Sequence, residues 1–360
     1  MTGGGIFPAL AVQQTLNVKN LKTLWITGES DMESKILKEY HIETAAIPSA
    51  GLHGVGLRNL PKNSWLILQG YFKARRIIHE FSPDVLFTTG GYLSIPVVMA
   101  SSHSPIVAYV PDIEPGYALN YIIRRASVVT ATVEDTQKFI PAGKKFCVTG
   151  YPIRPGLQKW TRNNALQHFK IKSKKPILLV FGGSKGARSI NLAVQKILPQ
   201  LLKEVTVLHI TGNDHWEESQ RSKTQLPESL NENYYPYPFL HEDMGAALAC
   251  ANLAVCRAGG SILGELPYFG LPAILIPYPY AWRYQQMNAE YLADRGAAVI
   301  LNDKEINDEL FSRVVELIRD QTRLEKMRFA IREISRPNAA KEIGEIIINA
   351  AAMKGGQSAW

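Results

Sequence analysis

The sequence predicts an α/β protein made of two doubly wound domains that face each other across a cleft. Short apolar runs alternate with stretches of helical periodicity along the whole chain, which is typical of parallel sheets covered by helices on both faces. The length of 360 residues suits two domains, each large enough for its own core. Prolines and a polar run over residues 152–175 interrupt the alternation, so we expect the linker there. In such sheets ligands bind beyond the carboxyl ends of the strands.

Strands are predicted on both sides of this interruption. In the first half they are Leu24–Thr27, Asp84–Thr89, Pro105–Tyr109, Ser127–Ala131 and Phe146–Thr149. In the second half they are Ile177–Phe181, Val205–Thr211, Leu253–Cys256, Ala273–Pro277 and Ala298–Leu301. The helical patterns between them include Asp31–Tyr40, Ser64–Glu80, Ser189–Lys203, Met244–Ala251, Ser261–Phe269 and Gln285–Arg295. Each half therefore has enough strands for a sheet of its own.

Composition and charge exclude several classes of protein. Apolar residues make up 46% and charged residues 20%, as in ordinary globular domains and unlike disordered chains. No apolar run reaches the ~18 residues that cross a bilayer. The cysteines Cys147, Cys250 and Cys256 lack metal-ligand spacing, and their odd number does not make a disulfide framework, so a reducing cytosol fits best.

The stretch Arg58–His79 combines basic residues with an apolar cluster and contains no acid. Its bases are Arg58, Lys62, Lys73, Arg75 and Arg76, and its apolar residues include Trp65, Leu66, Ile67, Leu68, Tyr71 and Phe72. Such a helix can lie on an anionic membrane surface, or it can pack its apolar side inward like any amphipathic helix. Nucleic acid is a less favoured partner, because no nucleic-acid-binding motif accompanies the patch.

Three glycine turns follow predicted strands or open predicted helices. Strand 177–181 runs into Gly182–Ala187, strand 84–89 runs into Gly90–Pro96, and Thr2–Gly5 opens a helix over Pro8–Leu16. Glycine lets the backbone approach a ligand, and helix N-termini favour negative charge, so these turns suit a phosphate or diphosphate. Tight strand–helix turns also need glycine for geometry alone. The turns lack Gly-Lys-Ser/Thr and Gly-x-Gly-x-x-Gly, which disfavours nucleotide hydrolysis and dinucleotide dehydrogenases.

A fourth turn, Cys256–Glu265, joins a strand to a helix through small residues. Glu265 lies one turn into that helix, where its carboxylate can accept hydrogen bonds from two vicinal ribose hydroxyls. The alternative is structural, because the helix dipole favours an acid in the first turn whatever it binds.

Together these motifs resemble the MurG family, the UDP-N-acetylglucosamine–N-acetylmuramyl-(pentapeptide) pyrophosphoryl-undecaprenol N-acetylglucosamine transferases. The matching segments are Thr2–Ala11, Gly90–Pro96, Tyr151–Arg154, Gly182–Ala187, and Cys256–Gly259 with Glu265, Gln285 and Asn288. The resemblance implies the GT-B fold, with an acceptor domain over 1–153, a donor domain over 154–337 and a C-terminal helix, about 338–352, that returns to the first domain. It implies inverting transfer of N-acetylglucosamine to a lipid-linked N-acetylmuramyl-peptide, the lipid I to lipid II step of peptidoglycan synthesis, at the cytoplasmic face of the membrane.

The resemblance also assigns roles to residues of the donor site. Ser184 and its glycines would meet the diphosphate together with Arg154, Glu265 would hold the ribose, and Gln285 would bind the sugar hydroxyls. His241 lies where the family reads uracil through backbone groups, or it belongs to a helix cap. The residues expected to line the nucleotide are Gly260, Ser261, Ile262, Leu263 and Gly264, and those expected to meet substrate in the first domain are Thr2, Gly3, Gly4 and Asp112. No metal or other cofactor is implied, and no Asp-x-Asp signature appears near a strand end.

The acceptor side departs from the family pattern. Gly5 stands where the family has a histidine that is a proposed general base, and Asp112 stands where it has asparagine. Inverting transfer needs a base within hydrogen-bond reach of the attacking hydroxyl. The candidates are Asp112, Glu114 and His53, each of which can instead be a structural cap of a helix or turn.

Two alternatives follow from these departures. One is a related GT-B enzyme that uses a UDP-sugar with another lipid or small acceptor. The other is a catalytically silent UDP-sugar-binding protein that has lost its base. A UDP-sugar 2-epimerase shares the fold, but no residues can be assigned as its acid and base.

The turn over Met1–Gly5 has no strand before it. In a doubly wound domain the first strand is usually central, so its absence would leave a gap in the sheet. We therefore expect the natural protein to begin upstream, with an apolar strand that ends in one or two further glycines.

Overall fold

The computed structural model of the protein describes residues 5–19, 21–29, 37–50, 60–183, 186–280 and 283–354. The chain divides into two units, of which the first comprises residues 1–152 and 338–360 and the second residues 153–337. Every strand pair in the described parts of both units is parallel. This is the arrangement that alternating strands and helices require.

The first unit alternates strands and helices along the chain. Its elements are α1 (Ile6–Thr15), β1 (Trp25–Gly28), β2 (Thr44–Ile47), α2 (Leu60–Phe81), β3 (Leu86–Thr88), α3 (Ser94–Ala100), β4 (Ile106–Val110), α4 (Tyr117–Arg125), β5 (Val128–Ala131) and β6 (Lys145–Val148). A short 3₁₀ helix, Glu134–Phe139, lies between β5 and β6. Strand β4 is buried along its whole length, as an uninterrupted apolar run predicts.

The described strands of the first unit form two separate sheets. One contains β1 and β2, and the other has the order β3-β4-β5-β6. Strands β1 and β3 are each paired on one side only within the described residues, β1 to β2 and β3 to β4. Within the part of this unit that the structure describes, the sheet is therefore divided between β1 and β3.

The second unit contains a single sheet of six described strands. Its elements are α5 (Pro155–Gln158), α6 (Arg162–His168), β7 (Ile177–Phe181), α7 (Arg188–Glu204), β8 (Thr206–Ile210), α8 (Trp216–Gln225), α9 (Glu228–Asn231), β9 (Tyr234–Tyr237), α10 (Met244–Cys250), β10 (Leu253–Cys256), α11 (Ile262–Phe269), β11 (Ala273–Leu275), α12 (Tyr284–Asp294), β12 (Ala298–Ile300), α13 (Ile306–Arg319) and α14 (Gln321–Glu333). The strand order is β12-β11-β10-β7-β8-β9. The central strands β7 and β10 are buried at every residue.

The C-terminal helix α15 (Ala339–Lys354) belongs to the first unit and packs on α1. Thr15 Oγ1 donates a hydrogen bond to the Ala340 carbonyl at 3.2 Å. A Cβ added to Gly344 would lie 3.1 Å from Leu16, so glycine allows the two helices to approach closely. The last helix therefore covers the first helix of the chain.

Several elements differ from those that the sequence predicts. The prediction of a linker is wrong for residues 162–168, which form α6, because Thr161 and Asn164 make a reciprocal capping box at its start. Strands β2 and β9 were not predicted, since β2 is rich in alanine and β9 is an edge strand that contains Pro236. Most of the helix predicted at 31–40 lies outside the described residues.

Candidate functional site

The carboxyl edge of the six-stranded sheet gathers the turns that carry the motifs of the second unit. Because the strands are parallel, the segments after β7, β10 and β11 emerge at the same edge. These segments contain Gly182–Gly183, Ala258–Ser261 and Tyr278, and α11 and α12 follow two of them. The edge is the candidate functional site of this unit.

In the described part of the turn after β7, two glycines adopt left-handed backbone conformations. Gly183 and Gly186 have φ angles of +98° and +77°, in the left-handed region where side chains are strained. A Cβ at Gly186 would lie 2.3 Å from the Thr211 carbonyl oxygen. Ala187, which directly precedes α7, has no polar side chain to cap the helix, whose first amides lie at the end of this turn. Ser184, predicted to meet the diphosphate, lies outside the described residues together with Lys185.

Arg154, His241 and Glu265 lie close together, although they are far apart in sequence. Arg154 Nη2 donates to the His241 carbonyl at 3.4 Å. Burial raises the pKa of Glu265 to about 7, and the nearby Arg154 guanidinium and a hydrogen bond from Ser261 partly oppose that rise. The carboxyl group is therefore near half ionisation at neutral pH. Donors such as ribose hydroxyls would favour its ionised form.

His241 contributes its carbonyl group to this arrangement, where it accepts the hydrogen bond from Arg154. Its ring packs edge-on against Phe239, with the ring centroids 4.6 Å apart. In the described contacts, the backbone of His241 binds Arg154 and its ring packs against Phe239.

The residues of the segment Gly260–Gly264 differ in how deeply they are buried. Ile262 and Leu263 are 2% and 3% exposed, so their side chains belong to the core. Gly260 and Ser261 are only partly buried, and α11 begins directly after them. Of the residues expected to line a nucleotide, Gly260, Ser261 and Gly264 are partly exposed, while Ile262 and Leu263 hold the helix in place.

Gln285 and Asn288, both on α12, anchor two of the turns. Gln285 Oε1 accepts a hydrogen bond from the Tyr278 amide at 2.9 Å, and Asn288 Nδ2 donates to the Ala258 carbonyl at 3.0 Å. The side-chain oxygen of Gln285 thus holds the backbone of the segment after β11. Asn288 is completely buried, so its role is structural.

A buried arginine cluster joins the same turns and was missed by sequence reasoning. Arg257 Nη1 donates to Asp303 Oδ1 at 2.5 Å, and its Nη2 donates to Ser189 Oγ at 2.6 Å. Ser189 Oγ in turn donates to Asp303 Oδ1 at 2.8 Å. The guanidinium also donates to the Ile276 carbonyl. One side chain thus connects the start of α7 with the segments after β10, β11 and β12.

A signal for this cluster is present in the sequence. Arg257 directly follows a buried strand, and a buried charge there requires a partner. Asp303 follows the predicted strand 298–301, at the same edge of a parallel sheet. Arg257 and Asp303 are far apart in sequence, so their pairing is not obvious. Because both follow strands at the same edge of the sheet, the strand order nevertheless indicates it.

In the first unit, Gly5 and Thr89 meet at the start of α1. Thr89 Oγ1 donates to the Gly5 carbonyl at 2.9 Å, and a Cβ added to Gly5 would lie 2.8 Å from the same Thr89 oxygen. Any side chain at position 5, histidine included, therefore requires Thr89 to move. Thr2, Gly3, Gly4 and the base candidate His53 lie outside the described residues.

Asp112 and Glu114 follow β4 at the carboxyl edge of its sheet, and both are partly buried. Burial raises the pKa of the neighbouring Tyr109 well above its usual value, and the charge of Asp112 adds to that rise although Thr132 hydrogen-bonds the phenol. The Tyr109 and Thr132 oxygens are 2.7 Å apart. Asp112 therefore lies beside a buried, neutral phenol.

Comparisons with known proteins identify two family domains in the chain. Residues 2–111 match the glycosyltransferase family 28 N-terminal domain, and residues 177–343 match the glycosyltransferase family 28 C-terminal domain. The UDP-N-acetylglucosamine--N-acetylmuramyl-(pentapeptide) pyrophosphoryl-undecaprenol N-acetylglucosamine transferase of Desulforamulus reducens is 35% identical, over 95% of this chain and 94% of the relative. The enzyme of the same name from Listeria monocytogenes is 32% identical, over 97% of both chains.

Solved structures give the same result. A crystal structure of MurG from Acinetobacter baumannii is similar over 95% of both chains, with a TM-score of 0.73 and 26% identity. A UDP-GlcNAc 2-epimerase from Neisseria meningitidis, covering 95% of this chain and 96% of its own, has a TM-score of 0.67 at 14% identity and shares the fold alone. The predicted α/β fold of the GT-B class, with two Rossmann-like domains, is confirmed. The chain belongs to glycosyltransferase family 28, among the MurG-type N-acetylglucosaminyltransferases that its motifs resemble.

Proposed function

We propose that the chain transfers N-acetylglucosamine from UDP-N-acetylglucosamine to a lipid-linked N-acetylmuramyl-peptide, with inversion at the transferred carbon. The observation that carries this proposal is the grouping of Arg154, the His241 carbonyl and Glu265 beside a glycine turn in a chain of this family. A carboxylate, a cation and backbone carbonyls suit a ribose, a phosphate and a base respectively.

In the proposed donor site, the second unit stabilises the departing UDP. Negative charge develops on the diphosphate as the sugar leaves, and the N-terminus of α7 and Arg154 offer positive electrostatic potential and hydrogen-bond donors. The proposal needs no metal ion for this step. Among the described residues, no group of three or more His, Cys, Asp and Glu side chains is arranged to hold one.

In the proposed acceptor site, Asp112 removes the proton from the attacking hydroxyl. It follows a buried strand at the carboxyl edge, whereas Gly5 has no side chain to act as a base. Glu114 and His53 are the other candidates. The attacking oxygen would form a bond to the sugar carbon while the bond to UDP breaks, and Asp112 would hold the proton.

The proposed lipid acceptor requires a membrane surface, and α2 supplies an apolar face of the right kind. Trp65, Leu68 and Phe72 are 59%, 44% and 59% exposed, at spacings that bring them to one side of the helix. Lys62 and Arg76 flank that side and are exposed. We propose that this face docks on anionic lipid at the cytoplasmic side, with no nucleic-acid partner.

No helix in the described parts of the chain is long and apolar enough to span a bilayer. The association that we propose is through the exposed side of α2. The inward side of the same helix packs against the unit, since Ala74 is completely buried.

A turnover assay tests the proposal. UDP release should require both UDP-N-acetylglucosamine and a lipid-linked N-acetylmuramyl-pentapeptide. Release with a different lipid or small acceptor alone would favour the related GT-B enzyme that Gly5 and Asp112 leave open. Tight binding of UDP-N-acetylglucosamine without release on any acceptor would favour a catalytically silent homologue.

A further inference from the structure

His209 is a buried histidine of the second unit that the proposed transfer does not use. It lies on β8, is completely buried, and contacts a side chain on each of two neighbouring elements. Its Nε2 atom lies 3.0 Å from Asn191 Oδ1 on α7, and its Nδ1 atom lies 3.0 Å from the Tyr234 hydroxyl on β9. Burying polar groups costs free energy that apolar side chains would not cost, so this arrangement requires a reason.

The hydrogen bonds of Asn191 determine where the His209 ring carries its proton. Asn191 Nδ2 donates to the Thr211 carbonyl at 2.7 Å, and a carbonyl can only accept. The amide oxygen of Asn191 therefore faces His209, so the proton of the hydrogen bond between them is on Nε2. Burial lowers the pKa of His209 to about 3, with a further contribution from the charge of His215, so the ring is neutral at pH 7 and its Nδ1 atom accepts from Tyr234.

This chain of hydrogen bonds ends at the glycine turn after β7. The Thr211 carbonyl oxygen, to which Asn191 donates, is the atom that would lie 2.3 Å from a Cβ added to Gly186. Gly186 therefore packs directly on that carbonyl, and its own amide donates to the Gly183 carbonyl at 2.9 Å. The position of the Thr211 carbonyl thus sets the position of the end of the turn.

The same hydrogen bonds hold the first turn of α7 on one side. Asn191 lies in that turn. Ser189, two positions earlier, accepts from Arg257 Nη2 and donates to Asp303 Oδ1. Residues two positions apart on a helix do not face each other, so the start of α7 is fixed from two directions. Because the amides at a helix N-terminus bind anions, a displacement of this turn would misplace the donors.

We propose that His209 is a positioning residue of the donor site. Through Asn191 and the Thr211 carbonyl, it sets the positions of Gly186 and of the N-terminal amides of α7, and so the affinity for the diphosphate group of the donor. This inference rests on the proposed function, in which that helix N-terminus stabilises the diphosphate. An apolar side chain at position 209 would fill the core, but it would leave the amide oxygen of Asn191 without its donor and the amide free to turn.

Calorimetric titration with UDP and with uridine tests the role of His209. The ratio of the two affinities measures what the diphosphate group contributes to binding, and a general destabilisation of the unit would not change that ratio selectively. For His209→Leu we expect the ratio to fall by about tenfold, the effect of one buried hydrogen bond, while the affinity for uridine stays unchanged. His209→Gln should keep the ratio, because its side-chain amide can donate to Asn191 in place of Nε2.

Tyr234→Phe is the matched control. It removes the partner of the other ring nitrogen, on the side away from the glycine turn, so it should lower the stability of the unit but leave the affinity ratio unchanged. Asn191→Ala breaks the chain of hydrogen bonds at its next residue and should reproduce the result of His209→Leu. It therefore gives an independent measurement if His209→Leu does not fold.

Three results would overturn the proposal. They are an unchanged ratio in His209→Leu or in Asn191→Ala, an equal fall of the ratio in Tyr234→Phe and His209→Leu, and a fall in His209→Gln as large as in His209→Leu. If the unsubstituted chain binds UDP no better than uridine, the proposed donor site itself is contradicted, and this inference fails with it. A preference for UDP that His209→Leu retains contradicts only the role of His209.

Discussion

The two units follow one architectural plan, but their sheets differ in continuity. In the second unit six described strands are joined without a break, and the central strands β7 and β10 are completely buried. In the first unit the sheet is divided, and β1 and β3, which border the division, are each only partly buried. A parallel strand reaches full burial only with a neighbour on both sides and helices on both faces. The comparison teaches that, among the described residues, the sheet of the second unit is continuous and fully buried at its centre, whereas the sheet of the first unit is not.

The groups that suit the donor and the candidate bases also lie in different units. Groups that suit a nucleotide diphosphate, among them Arg154 and Glu265, lie in the second unit, and the candidate bases Asp112 and Glu114 lie in the first. The arginine cluster around Arg257 further fixes the turns of the second unit. Changes in the second unit should therefore affect donor binding, and changes in the first should affect acceptor activation and membrane contact.

Replacing the proposed base should give the largest effect. For Asp112→Asn we expect kcat to fall by about 100- to 10,000-fold, because general-base assistance is lost, while KM for UDP-N-acetylglucosamine stays nearly constant. Steady-state kinetics with the lipid-linked acceptor measures both constants. Glu114→Gln is the matched control, with a much smaller expected loss of rate. Full turnover by Asp112→Asn would remove Asp112 as the base, and a larger loss in Glu114→Gln would reassign the role.

Replacing one isoleucine by alanine in each sheet tests whether the two sheets differ in packing. Ile274 in β11 is completely buried in a packed core, so Ile274→Ala should cost about 3 kcal/mol of unfolding free energy. Ile26 in β1 is only partly buried and borders a space of about 300 Å³, so its side chain makes fewer contacts and Ile26→Ala should cost about 1 kcal/mol. Urea unfolding followed by hydrogen exchange reports each unit separately. Equal costs would show that β1 is packed as tightly as β11.

The sequence is sufficient to predict the buried strands and the glycine turns. Strand β7 is an uninterrupted apolar run that ends in Gly182, and both features are local. Strand β9 contains Pro236 and lies at a sheet edge, so its pairing comes from tertiary position and not from periodicity. Helix α6 was missed because its capping box lies in a polar run.

The candidate site likewise contains residues that the sequence predicts and contacts that it does not predict. Glu265 could be predicted because it is one turn after a small-residue turn, and the structure adds the burial that shifts its pKa. The contacts of Arg257 with Ser189 and Asp303 join residues 68 and 46 positions away. Only the parallel strand order brings those segments to one edge. Sequence reasoning identifies the turns, and the topology supplies their connections.

The raised pKa of Glu265 predicts a pH dependence in the second unit. Its value of about 7 in the folded protein exceeds the usual 4.5, so the unfolded chain binds fewer protons between these values and stability falls as pH rises through that window. Allowing for partial solvent access, the loss is about 2 kcal/mol by pH 7, and Glu265→Gln should abolish it. Thermal or urea unfolding between pH 4.5 and 8 measures the effect.

Donor affinity should show the opposite trend. If the ribose requires ionised Glu265, affinity for UDP should rise about tenfold between pH 6 and pH 8, because the ionised fraction rises by that factor. Calorimetric titration at both pH values measures it, and the dependence should disappear in Glu265→Gln. Glu290→Gln, at an exposed position of the same unit, is the control and should retain the rise. An unchanged pH dependence in Glu265→Gln would contradict the assignment.

Removing exposed aromatic residues should have the smallest effect of these changes. We expect it to weaken membrane binding when the residues lie on α2 of the first unit and not when they lie in the second unit. Trp65→Ser with Phe72→Ser removes two exposed aromatic rings from α2, and we expect binding to vesicles rich in phosphatidylglycerol to weaken about tenfold. Phe329 on α14 is 68% exposed in the other unit, so Phe329→Ser is a matched aromatic control. Co-sedimentation with vesicles at low and high salt measures binding, and salt should weaken it through the basic flanks. Equal losses for the α2 and α14 variants would mean that exposed aromatic area alone, without the α2 face, accounts for lipid binding.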